Sequence, residues 1–334
     1  MDRRAFITVM GGSILAAPLV AEPQQAGKVP VVGILNSGFG PRSASFDPGP
    51  ASSVVAVRQG LRELGWVEGQ TIAFEIHYAG AKPEAFPGLA ADLVRRKVDV
   101  IFVSGPAGIR GARDATRSIP IVALDLESDP VRAGFANSLA KPGGNITGCF
   151  LDQPSLTGKW LELIGEAVPG VRRIAVLRDP TTGPWQLDAI KSVARTRNIE
   201  LHLVEVRNAD NLEQKLEDTT KERSQGLVQL SSPLFDTPFA KRIADFAVTH
   251  RLPSISMFKR FADSGGLMAY GPDQPLFYKR LAFYVDKVLK GAKPGDLPVE
   301  QPTKFDLVIN LRTAKALGLT IPSSLRERAD EIIA

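Results

Sequence analysis

The chain has 334 residues, 44% of them apolar and 23% charged, which is the composition of a soluble globular protein long enough for two domains. Its 41 Lys and Arg against 36 Asp and Glu leave a net charge of +5. The basic residues are scattered, with only short pairs such as Arg95-Arg96 and Arg172-Arg173, so no nucleic-acid-binding stripe is expected. One cysteine, Cys149, and three histidines, His77, His202 and His250, exclude an intrachain disulfide framework and every Cys-rich zinc site.

Residues 1–26 read as an export signal, to be removed from the mature protein. A charged start (Asp2, Arg3, Arg4) precedes an apolar run from Ala5 to Val20, broken by Gly11, Gly12 and Pro18 and followed by small residues. Arg3-Arg4 before Ala5-Phe6-Ile7 also fits the twin-arginine pattern, so two export routes stay open. A retained anchor is the alternative, but the run falls short of the roughly 20 uninterrupted apolar residues of a spanning helix. Ala21 and Ala26 are both cleavage candidates. Loss of residues 1–25 takes Arg3 and Arg4 together with Asp2 and Glu22 and leaves the charge at +5. The expected location of the mature chain is the periplasm.

From Lys28 strand and helix patterns alternate. Val29 to Leu35 is a nearly continuous apolar run ending in Asn36-Ser37-Gly38, as a strand buried on both faces should be. Val54, Val57, Leu61 and Leu64 have helical spacing, and Gly65 stands where a C-terminal cap belongs. A strand over 71–77, a helix over 84–96, a strand over 98–103, a helix over 106–117 and a strand over 120–126 repeat the plan. A strand near 146–150 follows Pro142-Gly143-Gly144. The pattern then restarts with helices over 156–167, 186–197, 209–222 and 237–250, and strands over 173–177, 200–206, 226–230 and 254–257. This alternation predicts an α/β protein of two lobes, each a doubly wound parallel sheet.

Open parallel sheets bind ligands beyond the carboxyl ends of their strands, where helix N-termini converge, and two such lobes enclose a cleft between them. The loops at those ends carry Asn36 and Ser37, Ser104 and Gly105, Asp125 to Asp129, and Ser231 and Ser232. Serines and glycines before a helix are first of all caps and turns; their coincidence at one sheet edge raises the binding interpretation. Asp125, Glu127 and Asp129 place three carboxylates within five residues, which repel unless a cation, an amine or main-chain donors offset them. A solvated turn is the plain alternative.

Enzyme signatures are missing. No G-x-x-x-x-G-K-[ST] loop occurs, Asn36 to Pro41 departs from G-x-G-x-x-G, and neither G-x-S-x-G nor H-E-x-x-H is present. The three histidines fall within strands or at a helix end, so Ser104 has no evident base. No metal site and no cofactor are expected.

A collinear series of segments carries a family resemblance. It includes Arg3-Arg4-Ala5-Phe6-Ile7, Gly60-Leu61-Arg62-Glu63-Leu64-Gly65-Trp66, Val98-Asp99-Val100-Ile101, Lys141-Pro142-Gly143-Gly144-Asn145-Ile146-Thr147-Gly148, Gly265-Gly266-Leu267-Met268-Ala269-Tyr270-Gly271-Pro272 and Gly291-Ala292-Lys293-Pro294-Gly295-Asp296-Leu297-Pro298. In these the chain resembles the periplasmic substrate-binding components of ABC transporters, in the tryptophan and tyrosine uptake branch. The resemblance implies a type I periplasmic binding fold, with an N-terminal lobe of 28–149 plus 273–297 and a C-terminal lobe of 150–272 plus 298–334. The Pro-Gly stretches at 142–144, 271–275 and 291–298 are then expected at or near the crossings. It also implies a monomer that closes on a small solute, an aromatic amino acid or similar small carboxylate, and delivers it to an inner-membrane permease with its ATPase. Helix N-termini after Ser37 and Ser104 would take a carboxylate, and Asp125, Glu127 or Asp129 an ammonium. Trp185, Phe235, Phe258 and Tyr270 are the aromatic-wall candidates. A ligand sensor reporting to a receptor, and a hydrolase using Asp125 and Glu127, are the competing classes.

Overall fold

The computed structural model describes residues 28–38, 40–41, 53–151, 153–207, 211–235 and 239–334; the export signal read at 1–26 lies outside these. The first half of the chain builds a five-stranded, wholly parallel sheet of order β2-β1-β3-β4-β5. Its strands are β1 (Val31–Asn36), β2 (Ala73–Tyr78), β3 (Val100–Ser104), β4 (Ile121–Asp125) and β5 (Ile146–Phe150). The apolar runs of β3, β4 and β5 are buried almost throughout because helices cover both faces. On one face lie α2 (Phe86–Arg95) and α3 (Pro106–Ala115), packed through Phe86, Leu93 and Ile109 onto Ile101, Val103 and Ile121. On the other lie α1 (Ser53–Glu63) and α9 (Gln274–Leu289).

The second sheet has seven strands in the order β12-β11-β10-β9-β8-β6-β7. They are β6 (Arg173–Arg178), β7 (Glu200–Glu205), β8 (Leu227–Gln229), β9 (Ser254–Ser256), β10 (Met268–Pro272), β11 (Phe305–Asn310) and β12 (Glu331–Ile333). Its helices are α4 (Gln153–Ala167), α5 (Trp185–Thr196), α6 (Leu212–Lys221), α7 (Phe239–Thr249), α8 (Lys259–Asp263), α10 (Leu311–Ala316) and α11 (Ser323–Glu327). Trp160, fully buried, donates its indole N–H to the Tyr270 carbonyl at 2.7 Å and ties α4 to β10. The sheet departs from the all-parallel expectation at one pairing, since β11 runs antiparallel to β10 with Met268 opposite Ile309. The chain returns to this sheet through the hinge, at the end where β10 leaves it, and so enters β11 in the opposite direction.

The backbone passes between the sheets after Leu151, between Pro272 and Gln274, and between Glu300 and Phe305. Two of these passages are clasped together: Lys304 bonds Asp273 at 2.8 Å, and Asp273 caps α9 through Leu276 N–H at 3.0 Å. The Pro-Gly stretches only partly coincide with the passages. Residues 271–275 do, but Gly143 N–H donates to the Gly295 carbonyl at 3.1 Å, which holds 142–144 and 291–298 against each other beside the start of β5. Glycine there permits close backbone approach, since a Cβ at Gly295 would stand 2.9 Å from the Gly144 carbonyl.

Candidate functional site

The carboxyl ends of β1, β3 and β4 face those of β6 and β8 across the seam between the lobes. A cavity of about 40 Å³ remains at the centre, walled by Ser37, Ser104 and Gly105 from the first lobe and by Asp179, Thr181, Thr182, Pro233 and Leu234 from the second. Wider spaces of about 890 and 460 Å³ flank it along the seam. Gly105 has φ +79°, in the left-handed region that suits glycine, and a Cβ there would come within 3.2 Å of Pro233. This turn lets Pro106 open α3, so that Ala107 and Gly108 lie on the cavity wall. First-turn amides have no partners within their own helix and carry the positive end of its dipole.

The predicted polar loops separate into distinct roles. Asn36 is spent locally, its Oδ1 accepting from Gly38 N–H at 2.7 Å; Ser37 and Ser104 reach the cavity. Asp125 is fully buried and accepts from Glu127 N–H at 2.9 Å, Ser128 N–H at 3.0 Å and the Ser128 hydroxyl. Asp129 caps the next turn through Val131 and Arg132 N–H, both at 2.9 Å. The repulsion expected among these carboxylates is thus offset by donors of their own loop. Glu127, also buried, accepts from Ser231 Oγ of the facing lobe at 2.6 Å. Burial pushes Asp125 up to about 6, and burial with the charge of Asp125 beside it drives Glu127 well above the usual carboxylate range.

From the second lobe, Ser232 Oγ donates to Asp179 Oδ2 at 2.7 Å, and Asp179 Oδ1 accepts from Thr181 N–H at 2.8 Å. Gln186 fixes Ser231 by two main-chain bonds of 2.7 Å. Asp179 is the carboxylate on the central cavity wall, and loop 179–182 was not singled out from the sequence. The signal was present, because Asp179-Pro180-Thr181-Thr182 follows the apolar strand β6 just as Ser231-Ser232-Pro233 follows β8.

The aromatic candidates are dispersed. Trp185, half-buried at the start of α5, has the Arg132 guanidinium of the first lobe 4.5 Å above its ring and borders the 460 Å³ space. Phe235 is 1% exposed, packed in the core between the second sheet and its α6–α7 layer. Phe258 packs at the edge of the main core. Tyr270 stacks on Phe305 at 5.8 Å and, like Phe235 and Phe258, stands off the central cavity wall. The histidines do not line that wall either, and no cluster of metal-ligating side chains is found among the described residues.

Two α/β lobes joined by three passages, with strand ends and a helix N-terminus meeting at the seam, define a bilobal solute-binding protein of the type I periplasmic class. The model of the family described as ABC transporter substrate binding protein matches residues 47–333, and the chain belongs to that family. It is 27% identical over 268 residues to the "Tyrosine-binding protein" of Clostridioides difficile (strain R20291), covering 78% of this chain and 74% of the relative. A conserved domain protein from Vibrio cholerae superposes with a TM-score of 0.81 at 25% identity over 91% of this chain and all of the other. The ABC domain in complex with L-Trp from Streptococcus pneumoniae gives a TM-score of 0.81 at 22% identity, over 91% of this chain and 99% of the other. Membership implies a small-molecule ligand, a transporter partner and a role outside the cytoplasm.

Proposed function

We propose that the chain captures an aromatic amino acid by lobe closure in the periplasm and releases it unchanged to an inner-membrane permease driven by an ATPase. The observation that carries the ligand class is the similarity to a tyrosine-binding protein along most of the chain. The lobes in this reading are 28–149 with 273–297 and 150–272 with 298–334; residues 1–26 are an export signal, and the mature protein acts as a monomer. The solute's carboxylate meets the α3 amides at Ala107 and Gly108, and its ammonium meets Asp179, since Asp125 is engaged by its own loop and Asp129 stands off the cavity wall. Asp179 keeps acceptor capacity after its two bonds because a carboxylate offers about four lone-pair sites. Apolar surface comes from Phe86 and Leu234 on the cavity wall, and a further aromatic ring from Trp185 on the 460 Å³ space.

A thermal-shift panel of amino acids, nucleobases and sugars tests this. Tyrosine, tryptophan or phenylalanine should raise the melting temperature, a ligand at 100 times its Kd adding about 2.7 kcal/mol. If all three leave it unchanged while another class raises it, the aromatic assignment fails. Mass spectrometry of recovered solute should return it unaltered; conversion to a product would favour the hydrolase class.

A further inference from the structure

Glu127 carries a direct side-chain hydrogen bond between the acidic loop and the facing lobe. Its Oε1 accepts from Ser231 Oγ at 2.6 Å, and its Oε2 accepts from Leu126 N–H at 3.3 Å. Asp125, two residues before it and fully buried, lies close enough for its charge to act on Glu127. Two buried carboxylates side by side repel, and one proton shared by the pair relieves that repulsion. The cluster is dry, with Asp125, Glu127, Ser128 and Ser231 all at most 4% exposed. Ser231 has little freedom to retreat, since Gln186 holds both its N–H and its carbonyl.

The charged groups around the cluster come from three other elements. Arg110 on α3 acts electrostatically on Asp125 and donates to the Thr181 carbonyl across the seam at 3.1 Å. Asp179, after β6, is held by Ser232, the neighbour of Ser231. Asp129 and Arg132 belong to the turn that follows, where Asp129 is capped by main-chain N–H groups and Arg132 lies over Trp185. Each of these is engaged elsewhere, and none is shown bonding Glu127 directly.

We infer that the Asp125–Glu127 pair and Ser231 form a proton-loaded latch: the closed form holds one proton on the carboxyl pair, which opening gives up to water, so closure strengthens in acid. Separation of the lobes withdraws Ser231 and lets water reach Glu127, returning it toward the ordinary carboxylate value of about 4.3. In the closed form burial holds both carboxyls higher. The group raised on closing binds its proton in the closed form, so its contribution is complete below the open-form value and is lost as pH rises through the closed-form value. Between the two, one linked proton changes the closed-to-open ratio by up to about tenfold per pH unit. That closure retains an aromatic solute rests on the proposed function; the latch itself is a property of the ligand-free chain.

Small-angle X-ray scattering of the ligand-free mature chain between pH 5 and 9 tests the latch. Wild type should be most compact at pH 5 and expand as pH rises. Glu127→Gln, neutral throughout, should lose that pH response, and Ser231→Ala should be more open at every pH. A wild-type profile independent of pH, or a Glu127→Gln profile that follows wild type, overturns the latch, and the wild-type series decides even if a variant does not fold. Titration with L-tyrosine and L-tryptophan at pH 5 and 7.5 separates the two proposals. Scattering that responds to pH without binding of either keeps the latch and removes the aromatic assignment; binding with pH-independent scattering does the reverse.

Discussion

Among single residues, the seam is governed by which buried polar groups still have bonding capacity. Asp125 accepts three bonds from its own loop and Asp129 stands off the central cavity wall, whereas Asp179 faces that cavity with two bonds made. Asp179→Asn keeps the shape and removes the charge. Loss of a hydrogen bond to a charged partner is worth about 1.5–3 kcal/mol, so calorimetry should find tyrosine or tryptophan bound about 10- to 150-fold more weakly. Asp129→Asn, in a half-buried turn, should change that affinity little. The loops ending β1, β3, β4 and β8 were readable from the chain because small polar residues follow apolar runs. Which carboxylate remains available was not readable, since it depends on where neighbouring N–H groups point after folding.

At the level of elements, helix α9 shows how a short sequence feature serves a long-range contact. It leaves the second sheet at Pro272 and packs back on α1, where a Cβ at Gly60 would stand 2.6 Å from the Cβ of Ala282. Trp66 reinforces the same corner by donating to Asp286 Oδ1 at 2.9 Å. Gly60→Ala gains helix propensity but overpacks this crossing, which typically costs about 1–3 kcal/mol. A lower urea midpoint with an unchanged slope is the expected outcome, and no change would show that α9 shifts freely. Helical periodicity located α1 within a few residues. The β10–β12 edge was not anticipated as strands. Met268–Pro272 contains the breakers Gly271 and Pro272, and β12 is only three residues long; both are strands because neighbours supply their hydrogen bonds.

Across the whole molecule, the described lobes are already in contact. Glu127 meets Ser231, Arg110 meets the Thr181 carbonyl and Arg132 covers Trp185. A cation–π contact is worth about 0.5–2 kcal/mol, so Trp185→Ala should lower the closed-to-open ratio of the ligand-free protein about 2- to 30-fold, measured by energy transfer between dyes on the two lobes. An unchanged distance distribution would show that this contact does not hold the lobes. The alternation of apolar strands and amphipathic helices was enough to reveal two α/β lobes and their polar edges, because local periodicity reflects which faces are buried. The reversal of β11, the burial of Phe235 and the bond from Glu127 to Ser231 were decided only in three dimensions. Each joins residues separated by a hinge passage or by much of a lobe, and no local pattern encodes the order in which strands are laid down or the face that one lobe turns to the other.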